Sequence, residues 1–265
     1  MNPRLPARYR LLDLGPEPAG GPLADEILLE HAAAGPVACL WQSPRGLVVP
    51  RTYAVRPGFE AACAASAARG WPVVVRQSGG GVVPQGPGIL NLSLAQTLQG
   101  RPLDHSEALY QRLCGLIAGA LLFSGIEARA QAVEGSFCDG RFNLAVGSPA
   151  RKVAGTAQWW RRLPARPRQP APDAARATAA AAQGRADPDA GFHVGLAHAL
   201  ILAACDTREA TAQANALEAA LDNSRRYDPD TVMSLDRLVP PGEREGFAAR
   251  LRDRLAAMLR REALE

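Results

Sequence analysis

The sequence predicts an α/β (α+β) fold, a mixed central β-sheet flanked by helices, and three observations carry that expectation. Strand-like runs rich in Val, Ile and Leu alternate with longer runs of helical periodicity. Several of the strands are joined by turns too short to hold a crossover helix, which disfavours an all-parallel sheet. A hydrophobic share of 47% against 21% charged residues supplies the core of one large domain spanning residues 1–265.

Residues 1–22, rich in Pro, Gly and Arg, form an extended lead-in. A helix follows over 24–34, its apolar side made by Ile27, Leu28 and Leu29. Strands at 37–42 and 47–49 flank a Ser-Pro-Arg-Gly turn. Residues 59–69 read as helix, and 71–77 as a strand whose consecutive valines predict burial on both faces. The run 89–94 alternates, placing Asn91 and Ser93 on one face, and 106–123 is a strong helix. Strands recur at 127–132, 141–146 and 153–160. Residues 163–190 contain Pro, Ala, Arg and Gln with almost no large apolar side chain, the composition of a flexible insertion. The chain resumes with a strand at 192–202 and a helix at 209–221, then a charged, Leu-bearing helix at 243–260 within a C-terminal helical segment, 243–262.

The net charge of +4 is spread over arginines with matching acids and forms no basic run interleaved with aromatics. Nucleic acid is therefore not indicated as a partner, and an acidic protein fits the charge equally well. No run approaches the roughly 18 apolar residues that cross a membrane, and no apolar targeting stretch opens the chain, so a cytoplasmic protein is expected. The five cysteines are widely spaced without a Cys-x-x-Cys pair, which disfavours a disulfide framework or a zinc knuckle; no metal or cofactor is expected. Cys39, Cys63, Cys114 and Cys205 lie beside Ala, Leu or Ile and read as buried apolar residues. Cys138 differs, with Phe137 before it and Asp139 and Gly140 after it.

Lys152 is the only lysine in a chain whose other basic needs are met by arginine. A compact ammonium on a flexible stem reaches a buried carbonyl or phosphate oxygen that a guanidinium fork does not, so Lys152 is a candidate functional residue. The segment Arg76-Gln-Ser-Gly-Gly-Gly-Val-Val83 follows a strand and precedes a second glycine-rich strand entrance. It lacks the Gly-Lys-Ser/Thr of a phosphate loop and the spacing of a dinucleotide fingerprint. A tight turn accounts for three glycines; with Arg76 beside them, they also suit the wall of a ligand pocket. Cys138 opens a turn into a strand and is either a nucleophile, if Lys152 or Arg76 lies near, or an inert buried thiol. His193 and His198 are five apart on one strand and point to opposite faces, so at most one reaches a given site.

The Arg76–Val83 loop, the strand Gly88-Ile-Leu-Asn-Leu-Ser-Leu94 and the segment Arg151-Lys-Val-Ala-Gly-Thr-Ala-Gln158 resemble the biotin/lipoate protein ligase family. Ser136-Phe-Cys-Asp-Gly140 narrows the resemblance to the octanoyltransferase and lipoyl amidotransferase branch. It covers residues 24–162 plainly and 191–262 weakly. The resemblance implies a biotin/lipoate protein ligase catalytic-domain fold. In it Arg76, Ser78 and Gly79, Gly80 and Gly81 line an acyl pocket with Asn91 behind them. Lys152 holds the acyl carbonyl, helped by the backbone around Gly155, Thr156 and Ala157, and Cys138 carries the acyl group as a thioester. The implied partners are lipoyl domains of 2-oxoacid dehydrogenases as acceptors, with glycine cleavage H protein or acyl carrier protein as donor. Pro84–Gly86 stands where many relatives have a histidine, and the His-Gly segment of several branches appears here as His198-Ala199. An ATP-dependent lipoate ligase shares the glycines and the lysine without needing Cys138, and a carrier-binding protein without turnover also fits them.

Overall fold

The computed structural model describes residues 8–13, 22–77, 79–164 and 191–261. Ser78, most of the lead-in and all of the 163–190 insertion except Leu163 and Pro164 lie outside the described residues. The elements in chain order are β1 (Arg10–Leu12), α1 (Pro22–His31), β2 (Val37–Trp41), β3 (Gly46–Pro50), α2 (Arg51–Ala54), α3 (Phe59–Ala68), β4 (Val73–Arg76), β5 (Val83–Gln85) and β6 (Ile89–Gln99). They continue as α4 (Pro102–Leu122), β7 (Arg129–Ala130), β8 (Leu144–Val146), β9 (Arg151–Arg162), β10 (Phe192–Leu202), α5 (Thr207–Ala220), α6 (Pro241–Arg244) and α7 (Phe247–Arg261).

Two sheets form, one of seven strands in the order β1-β2-β6-β10-β9-β8-β7 and one of three in the order β4-β3-β5. The pairs β1/β2 and β3/β4 are parallel and the rest antiparallel, as a mixed architecture requires. The centre of the large sheet is the long ladder of β6, β10 and β9, and alternation along it decides which layer each residue joins. Leu90, Leu92 and Leu94 of β6 and Ala197, Ala199 and Ile201 of β10 meet α4 and α7 in the largest core cluster. Their helix partners on α4, Leu109, Leu113, Leu116, Ile117, Ala120 and Leu121, recur at helical spacing. Asn91, Ser93, His198 and Leu200 occupy the other parity. At one end of that face, α1 packs Leu28 and Leu29 against Val37, Cys39, Ala95 and Leu196. At the other, α5 joins the small sheet to the large one through Ala210, Ala214 and Leu217 on Leu47, Val49, Ile89 and Leu202. Between these two blocks the sheet face is left open as a cleft.

Several expectations change. The strand at 71–77 contracts to β4 and is the outer strand of the small sheet, so Val74 and Val75 are 44% and 37% exposed rather than buried on both faces. The strands at 127–132 and 141–146 shrink to β7 and β8, because the backbone from Ser136 to Asn143 is held by side chains instead of a ladder. The helix at 243–260 is divided in two at Gly246, whose φ of +69° ends α6 before α7 begins. Cys39 and Cys114 are buried, but Cys63 and Cys205 keep part of their surface. Among the described residues no helix is long and apolar enough to cross a membrane.

Gly88 joins the two sheets. Its carbonyl accepts the N–H groups of Ala203 at 3.0 Å and Ala204 at 2.8 Å, so the turn into β6 is tied to the end of β10. Its φ is +79°, and a Cβ there would stand 1.8 Å from the Ala204 carbonyl oxygen. Gly88→Ala combines left-handed strain with a backbone clash and is expected to cost roughly 3 kcal/mol or more. Gly242→Ala, with nothing within 4 Å of the added carbon, serves as the control. Thermal denaturation should show a melting point lowered by about 5 °C or more in the first variant and unchanged in the second.

Candidate active site

A cleft of about 800 Å³ runs across the open face of the large sheet. Its mouth is built from four segments distant in sequence: the Gly79–Gly81 loop with Arg76, the loop carrying Cys138, the start of β9 with Lys152, and the chain around Arg225–Tyr227. Its floor is the β9/β10 ladder, where Gly155 pairs with Leu200, Ala157 with His198 and Trp159 with Leu196.

Lys152 reaches this cleft because β9 carries an extra residue. Leu144 pairs with Ala154 and the next residue, Ala145, pairs with Lys152, so Val153 has no partner of its own on β8. Val153 and Ala154 both enter the core shared with α4. The parity of the strand resets there, and the Lys152 side chain points to the cleft together with Gly155, whose outward direction it meets at 2.9 Å from Nζ. The side chain has no exposed surface. Its Nζ donates to the Phe137 carbonyl and, at 2.9 Å, to the Cys138 carbonyl, and it lies 5.0 Å from the centre of the Phe137 ring. The backbone at Val232 bridges to Lys152, and Met233 N–H donates to its carbonyl at 2.8 Å, which closes the cover over the strand. Burial lowers the Lys152 pKa from its ordinary 10.5 to about 8, against the opposing pull of Cys138 and Asp139. Two of the three ammonium hydrogens are committed; among the described residues the third has no protein partner.

Cys138 adopts φ +53°, an uncommon left-handed conformation for a residue with a side chain. Lys152 and Asn143 hold it there by drawing its carbonyl inward, Asn143 Nδ2 donating at 2.6 Å. The sulfur consequently faces the glycine loop, where Gly81 N–H points at it from 3.5 Å. Arg76 stands close by: the Cβ direction of Gly80 lies 2.9 Å from its Nη2 and 3.2 Å from the Cys138 sulfur. The same guanidinium fixes the loop itself, donating to Val48 O at 3.0 Å, Gly79 O at 2.8 Å and Gly81 O at 2.9 Å. Burial lowers its pKa, and the neighbouring Cys138 works against that shift. Gly80 and Gly81 are crowded, whereas Gly79 faces open space. A Cβ on Gly80 would meet Arg76 at 2.9 Å and the Cys138 sulfur at 3.2 Å, and one on Gly81 would meet Arg225 at 2.6 Å and Tyr227 at 2.7 Å. Burial pushes the Cys114 thiol up to about 11 and the Cys205 thiol up to about 12, which keeps both protonated near neutral pH.

The structure thus brings together Cys138, Lys152, Arg76, Gly79, Gly80 and Gly81 at the mouth, with Gly155, Thr156 and Ala157 on the floor. Asn91 stands behind the wall, exchanging two side-chain hydrogen bonds of 2.9 and 3.0 Å with Gln85, which does line the cleft. Ser78 is outside the described residues. The two histidines separate as expected: His193 bonds the Gly100 carbonyl at 2.9 Å and His198 faces the cleft.

Sequence reasoning missed Asn143, Tyr227, Arg225 and the buried Glu218 that supports them. Glu218 accepts the hydroxyls of Tyr53 and Tyr227 at 2.7 Å each and Asn223 Nδ2 at 2.6 Å. Burial and this carboxylate push the Tyr53 pKa up to about 12 and Tyr227 higher. Tyr227 and Arg225 lie together over Gly81, 2.7 and 2.6 Å from where its Cβ would stand. A glutamate in the middle of an amphipathic helix reads as a solvated charge, so only its apolar neighbours on α5 hinted that it is buried.

Comparison with known proteins agrees with this geometry. Residues 23–163 match the family model described as the lipoyl protein ligase A/B catalytic domain. An uncharacterized protein of Cupriavidus necator is 47% identical over 245 residues, covering 91% of this chain and 90% of that protein. An octanoyl-[GcvH]:protein N-octanoyltransferase of Kyrpidia tusciae is 37% identical over 139 residues, 52% of this chain and 47% of the enzyme, so the match spans about half that relative's length. In structure, the bipartite lipoate protein ligase of Thermoplasma acidophilum superimposes with a TM-score of 0.55 at 16% identity, covering 95% of this chain and 82% of that one. A lipoate-protein ligase A bound with ATP superimposes with a TM-score of 0.53 at 16% identity, covering 93% and 94%. At such identities these two likenesses speak for the fold, while the matched catalytic-domain model spans more than half of the sequence. This chain belongs to the lipoyl protein ligase A/B catalytic-domain family.

Proposed function

We infer that the chain is a cysteine-dependent acyltransferase that moves an octanoyl or lipoyl group through a Cys138 thioester to the acceptor lysine of a lipoyl domain. One observation carries this reading: the Cys138 sulfur faces a backbone N–H and a guanidinium, while the Lys152 ammonium sits on the carbonyl of the same residue with one hydrogen to spare. A ligase that activates its acid with ATP has no need of a thiol held in this way. The curated relatives at 33–37% identity are named octanoyl-[GcvH]:protein N-octanoyltransferases, which supports the same branch.

In the proposed reaction the Cys138 sulfur attacks the donor carbonyl carbon, and the carbonyl electron pair moves onto oxygen. The charge that develops there meets the Lys152 ammonium, beside the stretch of β9 from Gly155 through Thr156 to Ala157 that floors the cleft. Collapse expels the donor's amine or thiol, which takes up the proton lost by the Cys138 thiol, and the thioester remains. The neutral amine of the acceptor lysine then attacks the thioester and expels the Cys138 sulfur. Arg76 and the Gly79–Gly81 loop, with Asn91 behind, form the wall that holds the acyl chain. Glycine cleavage H protein or acyl carrier protein is the proposed donor, and the net charge of +4 suits an acidic carrier domain. Nothing in this scheme uses a cofactor.

Intact mass after mixing with octanoyl-loaded H protein or acyl carrier protein, without ATP, should show one hydroxylamine-sensitive octanoyl adduct that passes to a lipoyl domain. The adduct should be absent in Cys138→Ala. Modification that appears only with ATP and free acid would transfer the assignment to a ligase.

The second expectation concerns pH. The Lys152 ammonium persists below about pH 8 and is lost above it. Single-turnover loading of Cys138 should therefore fall as pH rises through about 8. Lys152→Met should load roughly a hundredfold more slowly and without that falling limb. Stability should move the other way: between about 8 and 10.5 the unfolded chain holds the proton that folded Lys152 has released, so this group's contribution increases with pH. Thermal unfolding of the two proteins across that interval separates the two effects.

A further inference from the structure

The transfer reaction uses Lys152 only as a charge, yet the surroundings of its nitrogen also fit it for making a bond. Two of its hydrogens are held by the Phe137 and Cys138 carbonyls. A tetrahedral nitrogen then has one direction left, which carries the third hydrogen in the ammonium and the lone pair in the neutral amine. Loss of the proton from that direction breaks neither hydrogen bond.

Lys152 and Gly155 both line the cleft, and a Cβ on Gly155 would stand 2.9 Å from Nζ. The room beside the amine is the room of a missing side chain. When the carbonyl oxygen of an acyl group on Cys138 meets the ammonium, the carbonyl carbon lies roughly 3–3.5 Å from Nζ, the separation at which a lone pair attacks. The lysine side chain has no exposed surface, which shields Nζ from acyl compounds in solution and leaves the Cys138 adduct as the source within reach. Lys152 is also the only lysine, so no other side-chain amine of the chain competes.

The neutral amine is present at moderate pH, because burial lowers the Lys152 pKa to about 8. Cys138 and Asp139, on the loop in front of Nζ, pull the other way. Ala145 of β8, Gly155 of β9 and the covering residues Val232 and Met233 bring no charge. Acylation cancels the charge that the Cys138 sulfur can carry, and with it one of the two groups that hold the proton on Nζ. The acyl-enzyme therefore releases that proton more readily than the free enzyme does.

We propose that Lys152 is a self-acylation site: an acyl group left on Cys138 without an acceptor passes to Lys152 Nζ. This rests on the reading of Cys138 as the acyl carrier and adds a second fate for that intermediate. Neutral Nζ attacks the thioester carbon, the C–S bond breaks with its electron pair going to sulfur, and the proton shed by nitrogen moves to that sulfur. The products are an octanoyl amide on Lys152 and a free Cys138 thiol. An amide nitrogen has one hydrogen and no charge, so the next donor carbonyl finds no ammonium and the modified chain is shut off for transfer.

The test loads Cys138 near pH 7 from octanoyl-loaded H protein or acyl carrier protein, and in parallel by exchange with octanoyl-pantetheine, a small thioester. Excess donor is removed and the acyl-enzyme is shifted to pH values between about 7 and 9. Intact mass should keep the octanoyl increment while hydroxylamine ceases to remove it. The Cys138 thiol should become open to alkylation again, and peptide mass spectrometry should place the group on Lys152. The rate should rise by about tenfold or less over that interval and then level off, following the neutral fraction of an amine that titrates at about 8 or below.

Lys152→Arg, loaded by exchange, should keep a hydroxylamine-sensitive adduct throughout. An adduct that stays hydroxylamine-sensitive in the wild-type chain, or that leaves as octanoate, overturns the proposal, and so does a Cys138 that accepts no octanoyl group from any source. An amide on Lys152 in Cys138→Ala treated with octanoyl-pantetheine also overturns it, since that acyl group came from solution. An amide reached from the small thioester while neither carrier loads Cys138 defeats the transfer reading and leaves the self-acylation standing; loading by a carrier without the amide does the reverse.

Discussion

A lysine ammonium buried, among the described residues, without a carboxylate in ion-pair contact is the constraint on which the mouth of this cleft depends. Removing such a charge from water is costly unless other dipoles replace the lost hydration. Here the replacement is the backbone itself. The carbonyls of Phe137 and Cys138 turn inward to meet Nζ, and that inward turn forces Cys138 into its left-handed conformation and its sulfur outward. The position of the thiol is thus a by-product of solvating the lysine. Asn143, which takes the second lone pair of the Cys138 carbonyl, makes the arrangement rigid.

The opposite wall is organised by two other charged groups, the partly buried Arg76 and the buried Glu218, working through neutral intermediaries. Arg76 gathers the carbonyls of the glycine loop, and Glu218 gathers an asparagine and two tyrosines, one of which lies with Arg225 over the same loop. Gly80 and Gly81 are where these two constructions meet, so a side chain at either position would displace the groups that organise the wall. Each charge has several hydrogen-bond partners, the condition under which a buried ionic group is tolerated. The cleft is accordingly stiff at the end where bonds would be made and broken. Its floor, made of Gly155, Ala157, Leu196 and Leu200, is smoother.

Much of the fold was legible because the long elements carry strong periodicity. The β10 strand falls where the sequence places it, and α4 extends only slightly beyond the expected helix. The failures have physical reasons. Val73–Val75 is apolar enough for a central strand, yet it lies on the edge of a small sheet whose existence depends on pairing between distant segments. Of the site, residues with unusual chemistry in an unusual place stood out: the lone lysine, the glycine triplet and the thiol beside them. Asn143, Glu218, Tyr227 and Asp25 are common residue types that acquire meaning only from partners far along the chain, so no local signal marks them.

The unpaired Val153 shows how little separates a working cleft from a closed one. Side chains on a strand have only two directions, and the extra residue on β9 is what turns Lys152 from the hydrophobic layer under α4 toward the open face. The lysine's orientation is therefore stored as a residue count and not as a contact. Any change in chain length between Lys152 and Gly155 acts as a switch of sidedness, driving the ammonium into the packed core while leaving every residue type in the segment intact. Conservation of spacing through Lys152-Val-Ala-Gly155 is consequently as strict a requirement on this surface as the identity of the lysine.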